Sequence, residues 1–387
     1  MNEILQDIKT AIERSGFPLE YYIGSVLKQH GWQIITNRNY IDDVKGIERE
    51  IDILAYKIYT DKKEKIQYIT SLIISCKKSD KHKWCFLTRD IDQNKDKFNI
   101  NWTPYHYCTS DDRLKYMSEE YLEIVLNRYK AHGTVKELYS FDDLVFAYQQ
   151  LIEPANEKER KQNGNLCCVK NDDIYNSIST TIKAISNEKE GRLSAYDYKE
   201  KQRYYTFHAL SIFEGEMYCA HFDSNSSIEV KEVTDIKYLN RHIVGGVDEF
   251  YIVHFINRKV FDKYLCLYDA IHKENIQTLP TLITSFYDKI FLDRKRISLL
   301  WDNFVDKIKW QIEYALSADD VKKINISYNY NTSETEPVLE ICIDSLSTRE
   351  TIDSLNNNEF LVLCTSQQLE RIFRYKGKFV FCEELPF

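Results

Sequence analysis

The sequence predicts an α/β protein, a mixed central sheet flanked by helices, followed by a small C-terminal α+β module. Three observations predict this class. Residues 48–80 hold two apolar runs separated by the charged turn Asp61-Lys62-Lys63-Glu64, the signature of a β-hairpin. Helical periodicity brackets that hairpin on both sides, over residues 2–14, again from Pro18, and later along Ile174, Ile178, Ile182 and Ile185. Further strand-like runs at 204–213, 217–222 and 251–255 then alternate with helical patterns, as layered α/β chains do.

Composition bounds the function classes. The chain has 387 residues, enough for two domains with separate cores, and its 43% hydrophobic and 13% aromatic content belongs to a folded protein. Only 11 Gly and 6 Pro leave no room for a fibrous segment or a flexible linker. No apolar run approaches the roughly 20 residues of a membrane span, and the start lacks a leader pattern, so a cytoplasmic protein is expected. The ten cysteines show no CxxC and no Cys/His spacing suited to zinc, and read as reduced, mostly buried thiols. A net charge of −8 argues against non-specific coating of nucleic acid. It is compatible with an acidic metal site that has its own basic patch, and Lys77, Lys78, Lys81, His82, Lys83, Arg89, Lys95 and Lys97 supply one. The same run also reads as a solvated loop.

Taken in order, the helix over 2–14 places Ile4, Leu5, Ile8, Ala11 and Ile12 on one side and stops at Ser15-Gly16. The next helix has Pro18 at its first turn and Gly31 just past its end, with Glu20 in the first turn. There Glu20 complements the helix dipole or points into a site. A strand over 32–37 and a turn over 42–46 lead into the hairpin. Successive strand residues point to opposite faces, so Glu50 and Asp52 share one face while Ile51, Ile53 and Ala55 line the other. Lys77 stands at the end of the second strand. A carboxylate holds a hard divalent cation, and a neighbouring lysine orients water and stabilises charge on phosphate. Asp52 facing Lys77 is therefore suited to metal-assisted phosphodiester hydrolysis, and equally to an ordinary solvated sheet face.

The remainder supplies elements but fewer motifs. A strand over 84–87 precedes an insertion over about 90–165, with aromatics Trp102, Tyr105 and Tyr107, helices near 118–129 and 141–151, and a surface loop over 153–165. His208, His221 and His254 lie in apolar strand contexts without a carboxylate cluster at suitable spacing, and read as satisfied histidines of the core or sheet face. A helix is expected over 260–273. From about 276 the second module begins: a helical stretch over 282–316 interrupted near Asp293, strands at 324–330, 338–343, 360–364 and 379–381, and a helix over 367–374. No GxxxxGK loop appears, so nucleotide hydrolysis is not supported.

The succession Gly16-Phe17-Pro18-Leu19-Glu20, Gly31-Trp32, Glu48-Arg49-Glu50-Ile51-Asp52, Ser75-Cys76-Lys77-Lys78-Ser79 and Trp84 resembles the PD-(D/E)XK, or restriction-endonuclease-like, phosphodiesterase superfamily, and more closely its bacterial restriction-endonuclease-related proteins. The resemblance covers roughly the first ninety residues, and its weight lies in order and spacing together. It implies a restriction-endonuclease-like nuclease domain over 1–275, with core motifs at 15–90; the C-terminal α+β domain over 276–387 lies outside the resemblance and carries no readable chemical motif, which leaves dimerisation, target recognition and partner docking open. It also implies that Asp52 binds metal, that Lys77 is the catalytic lysine, that Glu20 completes the cation's shell, and that the Cys76 backbone carbonyl is a further ligand. Mg²⁺ or Mn²⁺ is the expected cofactor. DNA is the expected substrate, with RNA left open, and Lys78, Lys81, Lys83 and Arg89 are the expected nucleic-acid contacts. One position departs from the pattern: Ser75 stands where the superfamily has its second acid. A hydroxyl is a neutral, weaker ligand, so metal affinity should fall unless Glu20 or Glu50 substitutes. Two functions follow, a metal-dependent endonuclease of restriction or phage defence, or an impaired relative that binds nucleic acid or a partner protein.

Overall fold

A computed structural model describes residues 3–42, 46–91, 106–119, 136–138, 140–194, 202–225, 227–244, 246–288, 290–316, 325–331, 337–344 and 349–383. The chain divides into two compact units, Met1–Asp111 with Glu119–Pro280, and Asp112–Ser118 with Thr281–Phe387. The class is α/β, with mixed sheets and flanking helices.

The first unit opens with α1 (Glu3–Arg14) and α2 (Phe17–Gln29). Gly31 ends α2 at φ 77°, a left-handed conformation that costs glycine little, and the Trp32 N–H closes back on the Leu27 carbonyl at 3.0 Å. The expected hairpin follows: β1 (Gln33–Ile41), β2 (Glu48–Asp61) and β3 (Ile66–Lys78) form an antiparallel meander. Beyond it come β4 (His82–Asp90), β5 (His106–Thr109), β6 (Asp143–Ile152), α3 (Glu157–Asn163), β7 (Cys167–Val169) and α4 (Asp172–Ser194). Next are β8 (Gln202–Glu214), β9 (Met217–Phe222), β10 (Ile228–Glu232), β11 (Asp235–Val244), β12 (Val247–Asn257) and α5 (Phe261–Tyr287).

Two sheets result. The larger has the order β1-β2-β3-β8-β12-β11, with β5 also on β8; its β3–β8 and β8–β12 pairs are parallel and the others antiparallel. The smaller has the order β10-β9-β4-β6-β7. The crossover from β3 to its parallel neighbour β8 includes α4, whose Ile174, Ile178, Ile182 and Ile185 are all essentially inaccessible and share one core with Ile73, Phe207 and Phe255. Each such burial contributes about 1.5–3 kcal/mol. Chain passes from the larger sheet to the smaller at Gly215, where a Cβ would fall 2.7 Å from the Ser79 carbonyl oxygen. That close approach needs glycine. Beneath the turn, Trp84 and Phe213 stack at 3.8 Å.

In the second unit, β13 (Asn325–Asn331), β14 (Val338–Asp344) and β15 (Lys378–Glu383) form a three-stranded sheet with α6 (Arg294–Ala315), α7 (Arg349–Asn357) and α8 (Glu359–Phe373). The expected interruption before α6 is an N-cap, with the Asp293 carboxylate accepting from the Lys295 and Arg296 N–H groups.

Three elements differ from the sequence reading. Residues 141–151 are not helical; from Asp143 they form β6, because their Leu, Val, Phe and Tyr residues pair along β4. Residues 360–364 belong to helix α8 and not to a strand; a short apolar run fits either state, and the deciding features are the Asn358 cap and the buried series Leu361, Thr365, Leu369 and Ile372. The polar segment 153–165 contains α3. Of the helix expected near 118–129, residues 118 and 119 are helical and the rest lies outside the described residues, as do Lys95, Lys97, Trp102 and Tyr105.

Candidate active site

The β2–β3 ladder closes with the pair Ile53↔Ile74. Past that point the strands separate, and side chains take over from backbone partners. Extending the register places Asp52 opposite Ser75, with Lys77 one side-chain repeat further along the same face.

Asp52 reaches across the opening. Its Oδ2 accepts the Cys76 backbone N–H at 2.5 Å and the Ser75 hydroxyl at 3.3 Å, and the Lys77 ammonium stands 3.8 Å away. Lys77 also donates to the Cys76 carbonyl oxygen at 3.3 Å. The three donors converge on Oδ2; Oδ1 takes none of them. Ser75 is inaccessible to solvent and sits beside Ser211 of the parallel neighbour β8, whose hydroxyl accepts from Ser177 of α4 at 2.6 Å. It is packed as a small core residue.

Glu20 joins this group from the first turn of α2. Burial raises its carboxyl above the ordinary value; the negative charge of Asp52 pushes it further, the Lys77 charge opposes this, and Glu50 adds to the rise. Glu50 itself is exposed on β2, opposite Asn39. Three acids and one lysine thus share one electrostatic neighbourhood. Burial, with the Asp52 and Glu20 charges adding to it, pushes the Cys76 thiol well up, so this residue offers its carbonyl and not a thiolate.

Two of the four expected nucleic-acid contacts, Lys78 and Lys83, are ion-paired. Lys78 donates to the Glu13 carbonyl at 2.9 Å and lies 3.5 Å from Glu214, and Lys83 binds Glu216 at 2.7 Å. Arg89 donates to the Asp90 carbonyl at 2.9 Å, and Lys81 is exposed. Sequence reading missed Arg258, which pairs with Glu214 at 2.9 Å and lies over the Tyr22 ring at 4.4 Å.

Of the three strand histidines, His254 is satisfied by Tyr268 and Asp235 at 3.0 and 3.2 Å. His208 is partly buried, and its buried Nε2 lacks a partner. His221 departs from the sequence reading, because two carboxylates distant in the chain, Asp90 and Asp143, flank it. Among the described residues this is the one set of three side chains whose ligand atoms converge within 4.8 Å of one another. All ten cysteines are free of disulfides, and among the described residues no helix is long and apolar enough to cross a membrane. No family model matches the chain, and no curated protein or solved structure matches it.

Proposed function

We propose that the chain is a metal-dependent endonuclease that hydrolyses DNA phosphodiester bonds, in restriction or phage defence. The observation that carries this reading is the gathering of Glu20, Asp52 and Lys77 where the β2–β3 ladder opens. The order α2, β1, β2, β3, α4, β8, with β3 and β8 parallel, supports the restriction-endonuclease-like arrangement that the sequence resemblance implies.

The donor set suits a hard divalent cation. Asp52 through Oδ1, the Glu20 carboxylate and the Cys76 carbonyl are the groups that would hold Mg²⁺ or Mn²⁺; burial is the main cause of the raised Glu20 pKa, and the Asp52 and Glu50 charges that add to it are negative charge that a cation would relieve. When bound, the ion polarises the phosphate and lowers the pKa of a water. Lys77 orients that water and stabilises charge on the phosphate oxygens. The hydrogen bonds on Oδ2 fix the Asp52 carboxylate against β3.

A second reading has its own support. Ser75 adds no charge, and three donors already balance Asp52. On that basis the site is impaired, and the chain serves as a nucleic-acid-binding or protein-interaction subunit. Cleavage of plasmid and single-stranded DNA with Mg²⁺ or Mn²⁺ separates the two. The endonuclease reading expects cleavage by the native chain and its loss in Asp52→Ala and Lys77→Ala. DNA binding without cleavage supports the impaired reading, and cleavage untouched by Asp52→Ala removes the site from consideration.

A further inference from the structure

We propose that Asp90, Asp143 and His221 form a separate site for a divalent transition-metal ion, which closes the ends of strands β4 and β6. The three residues come from three neighbouring strands of the smaller sheet: Asp90 is the last residue of β4, Asp143 the first of β6, and His221 lies on β9, parallel to β4. His221 Nε2 is 3.4 Å from Asp90, and Nδ1 is 3.6 Å from Asp143.

The strand register supplies the independent argument. Asp90 and Asp143 are direct cross-strand partners. Like charges directly opposite on an antiparallel pair destabilise it. This pairing results from a β-bulge: the register shifts between Leu87 and Thr88, so that Leu87 faces Ala147 while Thr88 faces Val145. Without the extra residue Asp90 would oppose Leu144, and the acids would not meet. A bulge that re-aims side chains is a positioning device. Here it brings together two carboxylates beside an imidazole, a donor set whose charge a divalent cation would neutralise. A protonated imidazole offers one charge against two, whereas a divalent ion balances both.

Built features surround the triad. The Thr88 hydroxyl lies 3.2 Å from His221 Nδ1 and 3.1 Å from Cys219 Sγ, so the imidazole is anchored from inside the sheet. Asp143 and Thr88 also line a cavity of about 320 Å³ together with Lys231 and Lys237. His221 and Asp143 are largely covered, with side-chain exposures of 20% and 28%, while Asp90 is open at 75%. Two oxygens and one nitrogen suit Zn²⁺ or Mn²⁺ better than Ca²⁺, which takes six to eight oxygens, and three protein ligands leave positions for water or an anion.

Metal binding to the full chain carrying Asp52→Asn and Glu20→Gln tests this without interference from the other acidic site. One Zn²⁺ per chain is expected by titration calorimetry and by metal counting after dialysis. Adding His221→Gln or Asp143→Asn should weaken binding by more than about 100-fold. Co²⁺ in place of Zn²⁺ should give a visible absorption band that His221→Gln alters. Should these variants unfold, Asp90→Asn decides, because its exposed side chain carries little of the fold; at least a ten-fold weakening is expected. Absence of a stoichiometric ion in the Asp52→Asn, Glu20→Gln chain overturns the proposal, as does undiminished binding in Asp90→Asn or His221→Gln. An ion that persists when Asp52 and Glu20 are neutralised supports this site whatever the outcome for the endonuclease reading.

Discussion

The Asp52 carboxylate accepts the Cys76 backbone N–H at 2.5 Å, two residues beyond the last pair of the β2–β3 ladder. It therefore acts as a structural acceptor as well as a candidate ligand. Asp52→Ala withdraws that partner and leaves Lys77 without its nearest charge, an expected loss of about 1–3 kcal/mol. Asp52→Asn keeps an oxygen for the N–H and should cost less than Asp52→Ala. Urea unfolding of both variants checks this order. Cleavage lost in a well-folded Asp52→Asn chain separates lost chemistry from lost folding.

Placing an acid at position 75 tests the site from the other direction. Ser75 is inaccessible, flanked by Ser211 and facing Asp52, so Ser75→Glu places a second carboxylate in a space packed for a hydroxyl. Overpacking and desolvation predict a destabilisation of about 1–3 kcal/mol without metal. If the site holds a cation, millimolar Mg²⁺ or Mn²⁺ recovers part of that loss, raising the thermal midpoint of Ser75→Glu more than that of the native chain. An equal metal response in both chains would count against a cation at this position.

The hairpin and its two catalytic candidates are legible in the sequence because they depend on short-range rules. A period of two places Asp52 and Lys77, and a charged turn marks the reversal. What stays hidden depends on contacts far apart in the chain. Asp90, Asp143 and His221 meet only because a bulge shifts one register and a parallel strand arrives from much later in the sequence. Phe360 to Cys364, uniformly apolar, carries no period of its own, and its helical state is set by the cap at Asn358 and by the residues that follow. Arg258 gives no motif signal; its place beside Glu214 is fixed by the parallel β8–β12 pairing.

Asp269 of α5 is a second such long-range centre. It accepts from Lys57 at 2.6 Å, Trp32 at 2.8 Å and His30 at 2.8 Å, tying β2 and the end of α2 to α5. Asp269→Ala leaves a largely covered lysine without its carboxylate, and a loss of about 3–5 kcal/mol is expected. The His30 pKa stands above its ordinary value chiefly because of the hydrogen bond to Asp269. In Asp269→Asn it should fall toward the ordinary range, which an NMR titration of the His30 ring reads directly. A His30 titration unmoved by Asp269→Asn would assign the shift to Asp262 instead.

Two partly buried histidines are among the groups that weaken the fold in acid. Burial lowers His208 and His272 to about 4, against 6.5 for an unperturbed ring. The unfolded chain takes up a proton near 6.5 at each position while the native chain does not until about 4. Their contribution is therefore fully present above 6.5 and is lost as pH falls through that window, at up to about 1.4 kcal/mol per pH unit for each ring. His30 acts with the opposite sign: its stabilisation is present below 6.5 and is lost as pH rises through its raised folded value. Urea midpoints measured between pH 4.5 and 6.5 should fall steeply on the acid side. His208→Phe removes one proton from that linkage and should flatten the slope by up to about 1.4 kcal/mol per pH unit. An unchanged slope would mean that His208 titrates alike in the folded and unfolded chains.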